Sequence, residues 1–311
     1  MLLLTKAIFA IMIGFLSSTI LGLFLIPVLK KLRIGQKISI FVGDSHRKKE
    51  GTPTMGGLIF IVPTILAILF LLVTDKVTYT SNIGIVLLVF LGYAAIGFLD
   101  DFLSIRRGNN EGLTAYQKLF MQVLIAIGFF YIYMKNGGQT SFVVGTLGID
   151  IELGWLYGLL ILFVLVGASN AVNLTDGLDG LAGGLSAIAF IAFSLILVGC
   201  IMGFLIYNTH PAKIFMGDTG SLSLGAVMGA IAILTHRELT LLVVAGIFVI
   251  ETLTVIIQTI WVQVFHRKLF LMTPLHHHFE KLGWIETDIV KLFWVAGLVL
   301  AMSGIIFGVW L

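Results

Sequence analysis

Five of the sixteen acidic residues are aspartates set at the ends of long apolar runs. Asp100 and Asp101 close the run Gly97-Phe98-Leu99-Asp100-Asp101, Asp176 and Asp179 lie in Asn173-Leu174-Thr175-Asp176-Gly177-Leu178-Asp179-Gly180, and Asp218 sits in Phe215-Met216-Gly217-Asp218-Thr219-Gly220-Ser221. Carboxylates near membrane depth are costly and mark functional paths. Successive helix positions point ~100° apart. Asp100 and Asp101 are therefore expected to diverge, one toward a metal or substrate and the other toward a base such as Lys118. Asp176 and Asp179, three apart, share a face if helical; capping a helix start is the alternative. Hard oxygen donors without a cysteine cluster fit Mg²⁺ held by one or two carboxylates plus substrate phosphates. Neither GxxxxGK[ST] nor GxGxxG occurs, so neither an ordinary ATPase nor a Rossmann site is supported.

A second set of groups follows residue 265: His266-Arg267-Lys268, then Pro274-Leu275-His276-His277-His278-Phe279-Glu280. Three adjacent histidines diverge on a helix or strand and HExxH is missing, which favours imidazoles binding phosphate or sugar over zinc. A solvated loop is the plainer reading. Lys48-Lys49-Glu50-Gly51-Thr52-Pro53-Thr54-Met55-Gly56-Gly57 combines basic charge with a helix entrance suited to an anion. Glu251 and Gln258, two turns apart, point toward protein or a cavity rather than lipid.

The elements that position these groups are apolar helices. Hydrophobic residues make up 59% of the 311 and charged residues 11%, with mean hydropathy +1.08. Soluble domains carry about a quarter charged residues. Runs of ~20 apolar residues cross the hydrocarbon layer, and backbone polar groups in lipid demand helices. The expected fold is an all-α polytopic bundle of about ten transmembrane helices, forming one domain. Spans are expected near 7–29, 56–73, 83–103, 119–134, 154–174, 181–207, 222–235, 239–265 and 290–310, the first being a true span rather than a cleaved leader. Fifteen Lys and Arg fall on one set of alternate loops and four on the other, which puts the first set in the cytoplasm and the N-terminus outside. The stretch 180–207 is too short for the two crossings its flanks require, since two spans need ~40 residues. It is either a re-entrant excursion or has lost a segment, with Gly199–Cys200 the suspected join. Gly154/Gly158, Gly225/Gly229 and Gly304/Gly308 are read as helix-packing pairs. Residues 135–153 read as a small outside hairpin. The single Cys200 excludes an internal disulfide, and a formal charge of +3 gives no argument for nucleic acid.

These strings together resemble the phospho-N-acetylmuramoyl-pentapeptide transferases, a branch of the polyprenyl-phosphate N-acetylhexosamine-1-phosphate transferase superfamily. The matching pieces are Gly51 to Gly57, Asp100-Asp101, Asn173 to Gly180, Phe215 to Ser221 and Pro274 to Glu280. The resemblance implies transfer of phospho-N-acetylmuramoyl-pentapeptide from its UDP donor to undecaprenyl phosphate with Mg²⁺, at the cytoplasmic face of a bacterial membrane. It implies Asp218 as metal ligand, Asp100 as candidate base, and Asp101 and Lys118 in the same cluster. It further implies that Lys49, Thr54, Asn173, Asp176, Asp179, Asn208, Phe215 and Gln258 line the nucleoside pocket, with Phe215 stacking on uracil. His276, His277 and His278 fall at the sugar-peptide and phosphate end. The family carries roughly 30 more residues before Asp218, the length of a missing crossing and its loop. A homodimer is a further expectation.

Overall fold

The computed structural model describes residues 3–31, 49, 51–108, 112–144, 149–191 and 194–310. Arg33, Lys37, Arg47, Lys48 and Glu50 lie outside the described residues. The helices are α1 (Leu3–Lys31), α2 (Leu58–Val73), α3 (Ser81–Arg107), α4 (Ala115–Lys135), α5 (Tyr157–Thr175), α6 (Leu181–Phe190) and α7 (Leu195–Asn208). They continue as α8 (Gly217–Leu234), α9 (Glu238–Val244), α10 (Gly246–Phe265), α11 (Leu275–Lys281) and α12 (Glu286–Trp310). Seven are long and apolar enough to cross a membrane: α1, α3, α4, α5, α8, α10 and α12. Adding the shorter apolar helices α2, α6 and α7 makes ten among the described residues. The chain is an all-α, multi-pass membrane protein.

Local chemistry sets the helix ends. Thr80 caps α3, its hydroxyl accepting from Ile83 N at 3.3 Å, and left-handed Gly108 stops it. Thr114 and Gln117 close a reciprocal capping box at the start of α4. Between α4 and α5, strands β1 (Ser141–Val144) and β2 (Ile149–Glu152) pair antiparallel from Ser141↔Glu152 to Val144↔Ile149, the small hairpin expected there.

At the centre stands α8. In it 78% of the most apolar window is buried, against 17–39% in the other six spans. Its small residues let neighbours approach backbone to backbone: a Cβ on Gly225 would overlap the Ala168 carbonyl of α5, and one on Gly97 of α3 would overlap the Asp218 carbonyl. Gly304 and Gly308 pack on Val244 and Thr240 as expected, whereas a Cβ on Gly154 would meet nothing within 4 Å, and Gly154 opens a 3-10 turn at φ +51°.

Two expectations about spans change. The expected span 239–265 is broken at Ala245 into α9 and α10. The stretch 180–207 folds as two helices, α6 of 10 residues and α7 of 14. At ~1.5 Å per residue they rise about 15 and 21 Å, short of the ~30 Å hydrocarbon layer. Gly180 N donates to Asn208 Oδ1 at 3.1 Å, so the hairpin returns to its starting point. This closed pair of short helices has the geometry of the first of the two readings, the re-entrant excursion. The suspected join at Gly199–Cys200 lies inside an unbroken helix. There Gly199 and Gly203 bring α7 against the Ile11 and Phe15 carbonyls of α1, a close-packing pair the sequence reading passed over.

Candidate functional site

The N-terminal ends of α2, α4, α6, α8 and α12 meet the C-terminal ends of α3, α5, α7 and α10 at one face of the bundle. The expected site residues lie within about two turns of that face, Asp100, Asp101 and Gln258 inside their helices and the rest at element ends or turns, and they fall into three groups.

The first group surrounds Lys118. Its Nζ donates to Asp218 Oδ2 at 2.6 Å and lies 3.0 Å from Asp100 Oδ1. Asp218 occupies the first turn of α8, where the helix dipole favours negative charge. Its other oxygen accepts from Asn173 Nδ2 at 2.8 Å, and Asn173 also donates to Ser221 Oγ at 2.9 Å. Asp100 accepts from Leu113 N at 2.8 Å. Asp101 turns away, as its helical offset requires. It accepts from Asp218 N at 3.2 Å, from Thr219 N at 3.0 Å and from Thr219 Oγ1 at 2.6 Å. Asp101 thus fixes the start of α8, and Asp100 faces the base.

The donor chemistry of this group fits a hard dication. Two carboxylates face one ammonium, and Lys118 stands between Asp100 and Asp218 where positive charge is wanted. Asp179, His210 and Glu286 also bring ligand atoms within 4.8 Å of one another. That set mixes in an imidazole nitrogen, and Lys49 already compensates its carboxylates.

The second group is the Asp176–Gly180 turn and what holds it. The turn is not helical, and α6 begins at Leu181 with Gly180 as its N-cap and no side-chain cap, so neither reading of the aspartate pair stands. The glycines bend the chain after α5 ends at Thr175, and the two side chains separate. Asp179 pairs with Lys49 at 2.8 Å, lies 3.1 Å from His210 Nδ1, and accepts from Ala212 N at 3.0 Å. Burial, reinforced by Asp218, Asp101 and Asp179, pushes the Asp176 carboxyl well above the usual carboxylate range. Asn208 ties Gly180 N to Ile214 O through its two amide atoms and is itself buried.

Thr54 is buried beside Gly217, and the start of α2 is sewn to the Phe215–Met216 backbone. Gly56 N donates to Phe215 O at 2.8 Å and Gly57 N to Met216 O at 2.9 Å. Those N–H groups are therefore taken, which corrects the expectation of an anion-facing entrance. The half-buried Phe215 is fixed through Phe215 N, which donates to Pro53 O at 2.8 Å.

The third group spans α10 and α11. The histidines diverge as expected. His276 is fully buried, its Nδ1 3.3 Å from buried Glu251 and its backbone N donating to the same carboxylate at 3.2 Å. A Cβ on Gly177 would collide with His276 Nε2, so only glycine lets this imidazole reach the Asp176 turn. Desolvation lowers the His276 pKa, with Glu251 opposing. His277 Nδ1 pairs with Glu280 at 2.6 Å, and His278 Nδ1 accepts from Leu271 N at 3.1 Å. Gln258 staples the connecting loop, accepting from Leu269 N and Phe270 N and donating to Phe270 O, each at 3.0 Å. The triple-His string is thus three environments, of which His276 alone abuts the Asp176 turn through Gly177.

Sequence reasoning passed over Glu286, His210, Thr219 and Ser221. Glu286 opens α12 and reads as an ordinary dipole-favoured acid. Thr219 and Ser221 stood inside a quoted motif but carry no charge to draw notice.

Known proteins complete the picture. Residues 83–236 match the model of glycosyl transferase family 4, and residues 49–61 match phospho-N-acetylmuramoyl-pentapeptide-transferase signature 1. The phospho-N-acetylmuramoyl-pentapeptide-transferases of Bacillus velezensis and Bacillus subtilis are each 46% identical over 320 residues, covering 98% of this chain and 98% of theirs. That of Oceanobacillus iheyensis is 44% identical over 318 residues, with 97% and 98% covered. Since 98% of 311 is about 305, the 320 aligned positions leave about fifteen for gaps in this chain. Any shortening before Asp218 relative to these proteins is therefore smaller than a whole crossing with its loop. The chain belongs to the phospho-N-acetylmuramoyl-pentapeptide transferase family.

Proposed function

We propose that this protein transfers phospho-N-acetylmuramoyl-pentapeptide from UDP-N-acetylmuramoyl-pentapeptide to undecaprenyl phosphate, giving lipid I and UMP at the cytoplasmic face of the cytoplasmic membrane. The observation that carries the reading is the Asp100–Lys118–Asp218–Asn173 cluster at the membrane-proximal ends of four helices. A lipid-borne phosphate and a water-borne nucleotide can both reach such a place. The Lys/Arg excess on the same face supports its cytoplasmic orientation.

Phosphoryl transfer asks a protein mainly for positioning and charge neutralisation. An oxygen of the lipid phosphate attacks the sugar-linked phosphorus, a P–O bond forms, and the bond to UMP breaks. The lipid phosphate, with a second pKa near ~6, is already largely ionised at neutral pH. Asp100 therefore serves to orient the acceptor and take any remaining proton. Lys118 keeps Asp100 and Asp218 at a fixed spacing and supplies positive charge beside the reacting phosphates. Asn173 aims Asp218, and Asp101 anchors the α8 start on which Asp218 rides. A Mg²⁺ ion held by Asp218 would neutralise the pyrophosphate of the donor. His276, kept neutral by burial, offers an imidazole to the sugar-phosphate end through the opening at Gly177. Lys49, Asp179, Asn208 and Phe215 form the nucleoside end, Phe215 presenting its ring to uracil.

Donor exchange tests the assignment. With undecaprenyl phosphate present, UDP-N-acetylmuramoyl-pentapeptide should support UMP release and UDP-N-acetylglucosamine should not. Preference for UDP-N-acetylglucosamine would move the chain to another branch of the superfamily. Incubation with radiolabelled donor and no lipid should leave the protein unlabelled; a trapped phospho-sugar on Asp100 would instead establish a two-step route.

A further inference from the structure

We infer that Glu286 is a positioning residue for the nucleoside end of the donor, acting by holding Lys49 and the Asp179 amide in one fixed arrangement. This rests on the proposed donor. Glu286 lies 68 residues beyond the nearest proposed metal-binding aspartate, at the start of a long apolar helix. Yet its carboxylate accepts three hydrogen bonds of 2.6 to 2.8 Å from groups far away in the sequence. Oε1 accepts from Lys49 Nζ at 2.6 Å and from Asp179 N at 2.8 Å, and Oε2 accepts from Lys49 Nζ at 2.8 Å. His210 Nδ1 lies 3.4 Å from Oε2.

The arrangement is closed and well shielded. The side chains of Lys49, Asp179 and Glu286 are 13%, 2% and 10% exposed. Trp294, two turns further along α12, donates from Nε1 to Gly180 O at 3.2 Å, so the same helix grips the turn at a second point. Helix α12 therefore fixes both ends of Asp179–Gly180, and Asn208 fixes Gly180 from the opposite side.

Charge decides what this cluster can meet. An ammonium has three donors. In Lys49 one goes to Asp179 and one is shared by the two Glu286 oxygens, so the described residues engage two of the three. Two carboxylates around one ammonium leave the cluster short of the positive charge that a diphosphate wants. It suits a neutral, hydrogen-bonding partner: the carbonyls of a pyrimidine or the hydroxyls of a ribose. Without Glu286, Lys49 would swing to Asp179 alone and the turn would lose an anchor at its backbone.

The test uses the full-length protein in lipid nanodiscs, comparing parent, Glu286→Gln and Glu286→Asp. We measure kcat, KM for UDP-N-acetylmuramoyl-pentapeptide, KM for undecaprenyl phosphate, UMP affinity by calorimetry, and melting temperature. Charge-assisted hydrogen bonds of this kind correspond to about ten- to a hundredfold in binding. Glu286→Gln should raise donor KM and weaken UMP by that factor, leaving kcat and lipid KM within about threefold. Glu286→Asp, which keeps the charge but shortens the reach, should recover part of the loss. Unchanged donor KM and UMP affinity in an active parent would overturn the positioning role and leave the reaction assignment standing. A fall in kcat or melting temperature with no donor-specific effect would mark Glu286 as structural only and overturn it too. A folded parent that neither turns over the donor nor binds UMP would bring down the donor assignment and this inference together.

Discussion

Replacing Gly97 by alanine should separate the two halves of the carboxylate cluster without touching a charged residue. Gly97 lies one turn before Asp101 on α3, pressed against the backbone of Asp218 and Thr219. A Cβ there would sit far inside the ~3.5 Å contact distance to Asp218 O, so the helices must part by more than about 1 Å. Asp101 holds the α8 start through bonds of 3.2, 3.0 and 2.6 Å, and a shift of that size takes the two backbone bonds past the ~3.5 Å limit. The Lys118 bridge from Asp100 to Asp218 stretches with them. Misplacement by ~1 Å at a reacting centre costs ~10²-fold in rate, and overpacking costs ~1–3 kcal/mol in stability. UMP release and thermal melting measure both. Gly167→Ala on α5 is the control, because a Cβ there meets nothing within 4 Å. It should leave activity unaltered. The reasoning fails if Gly97→Ala keeps activity within about threefold of the parent, since its backbone contact would then position nothing.

Three further outcomes follow from the same geometry. Asp176→Asn should raise the melting temperature while lowering turnover. The folded pKa of Asp176 is raised, so the stability its protonated form contributes is present below the unfolded value of 3.8 and lost as pH rises through the folded one. A neutral amide removes that loss, and a melting temperature at pH 7.5 below the parent's would contradict it. His276 is the opposite case. Its folded pKa is depressed below 6.5, so the contribution of the neutral ring is complete above that value and declines as pH falls toward the folded one. Between pH 7.5 and 5.5 the parent should lose more stability than His276→Gln; parallel losses would sink the claim. Gly199→Ala should destabilise by ~1–3 kcal/mol through its overlap with the Ile11 carbonyl, read from melting curves.

Much of the fold could be read in the sequence because lipid leaves few options. Apolar run length gave the helices, and Asn136-Gly137-Gly138 marked the hairpin region, whereas the Thr114–Gln117 capping box was passed over. The α6–α7 hairpin was ambiguous because composition records apolarity and length but not a reversal, which here depends on Asn208 reaching back to Gly180. In the site, helical offset correctly separated Asp100 from Asp101. The same geometry misled at Asp176 and Asp179, where Gly177 and Gly180 end the helical count before it applies. Glu286 and His210 stayed hidden because their partners are 31 to 237 residues away and carry no spacing signal. Contacts at such separations come from packing, which no local pattern encodes.

The most direct measurement is Mg²⁺-dependent UMP release from UDP-N-acetylmuramoyl-pentapeptide and undecaprenyl phosphate, parent beside Asp218→Ala. The account predicts release by the parent that chelation with EDTA stops and added Mg²⁺ restores, with activity lost in the variant although it remains folded. Undiminished release by Asp218→Ala, or none from a well-folded parent, would contradict it.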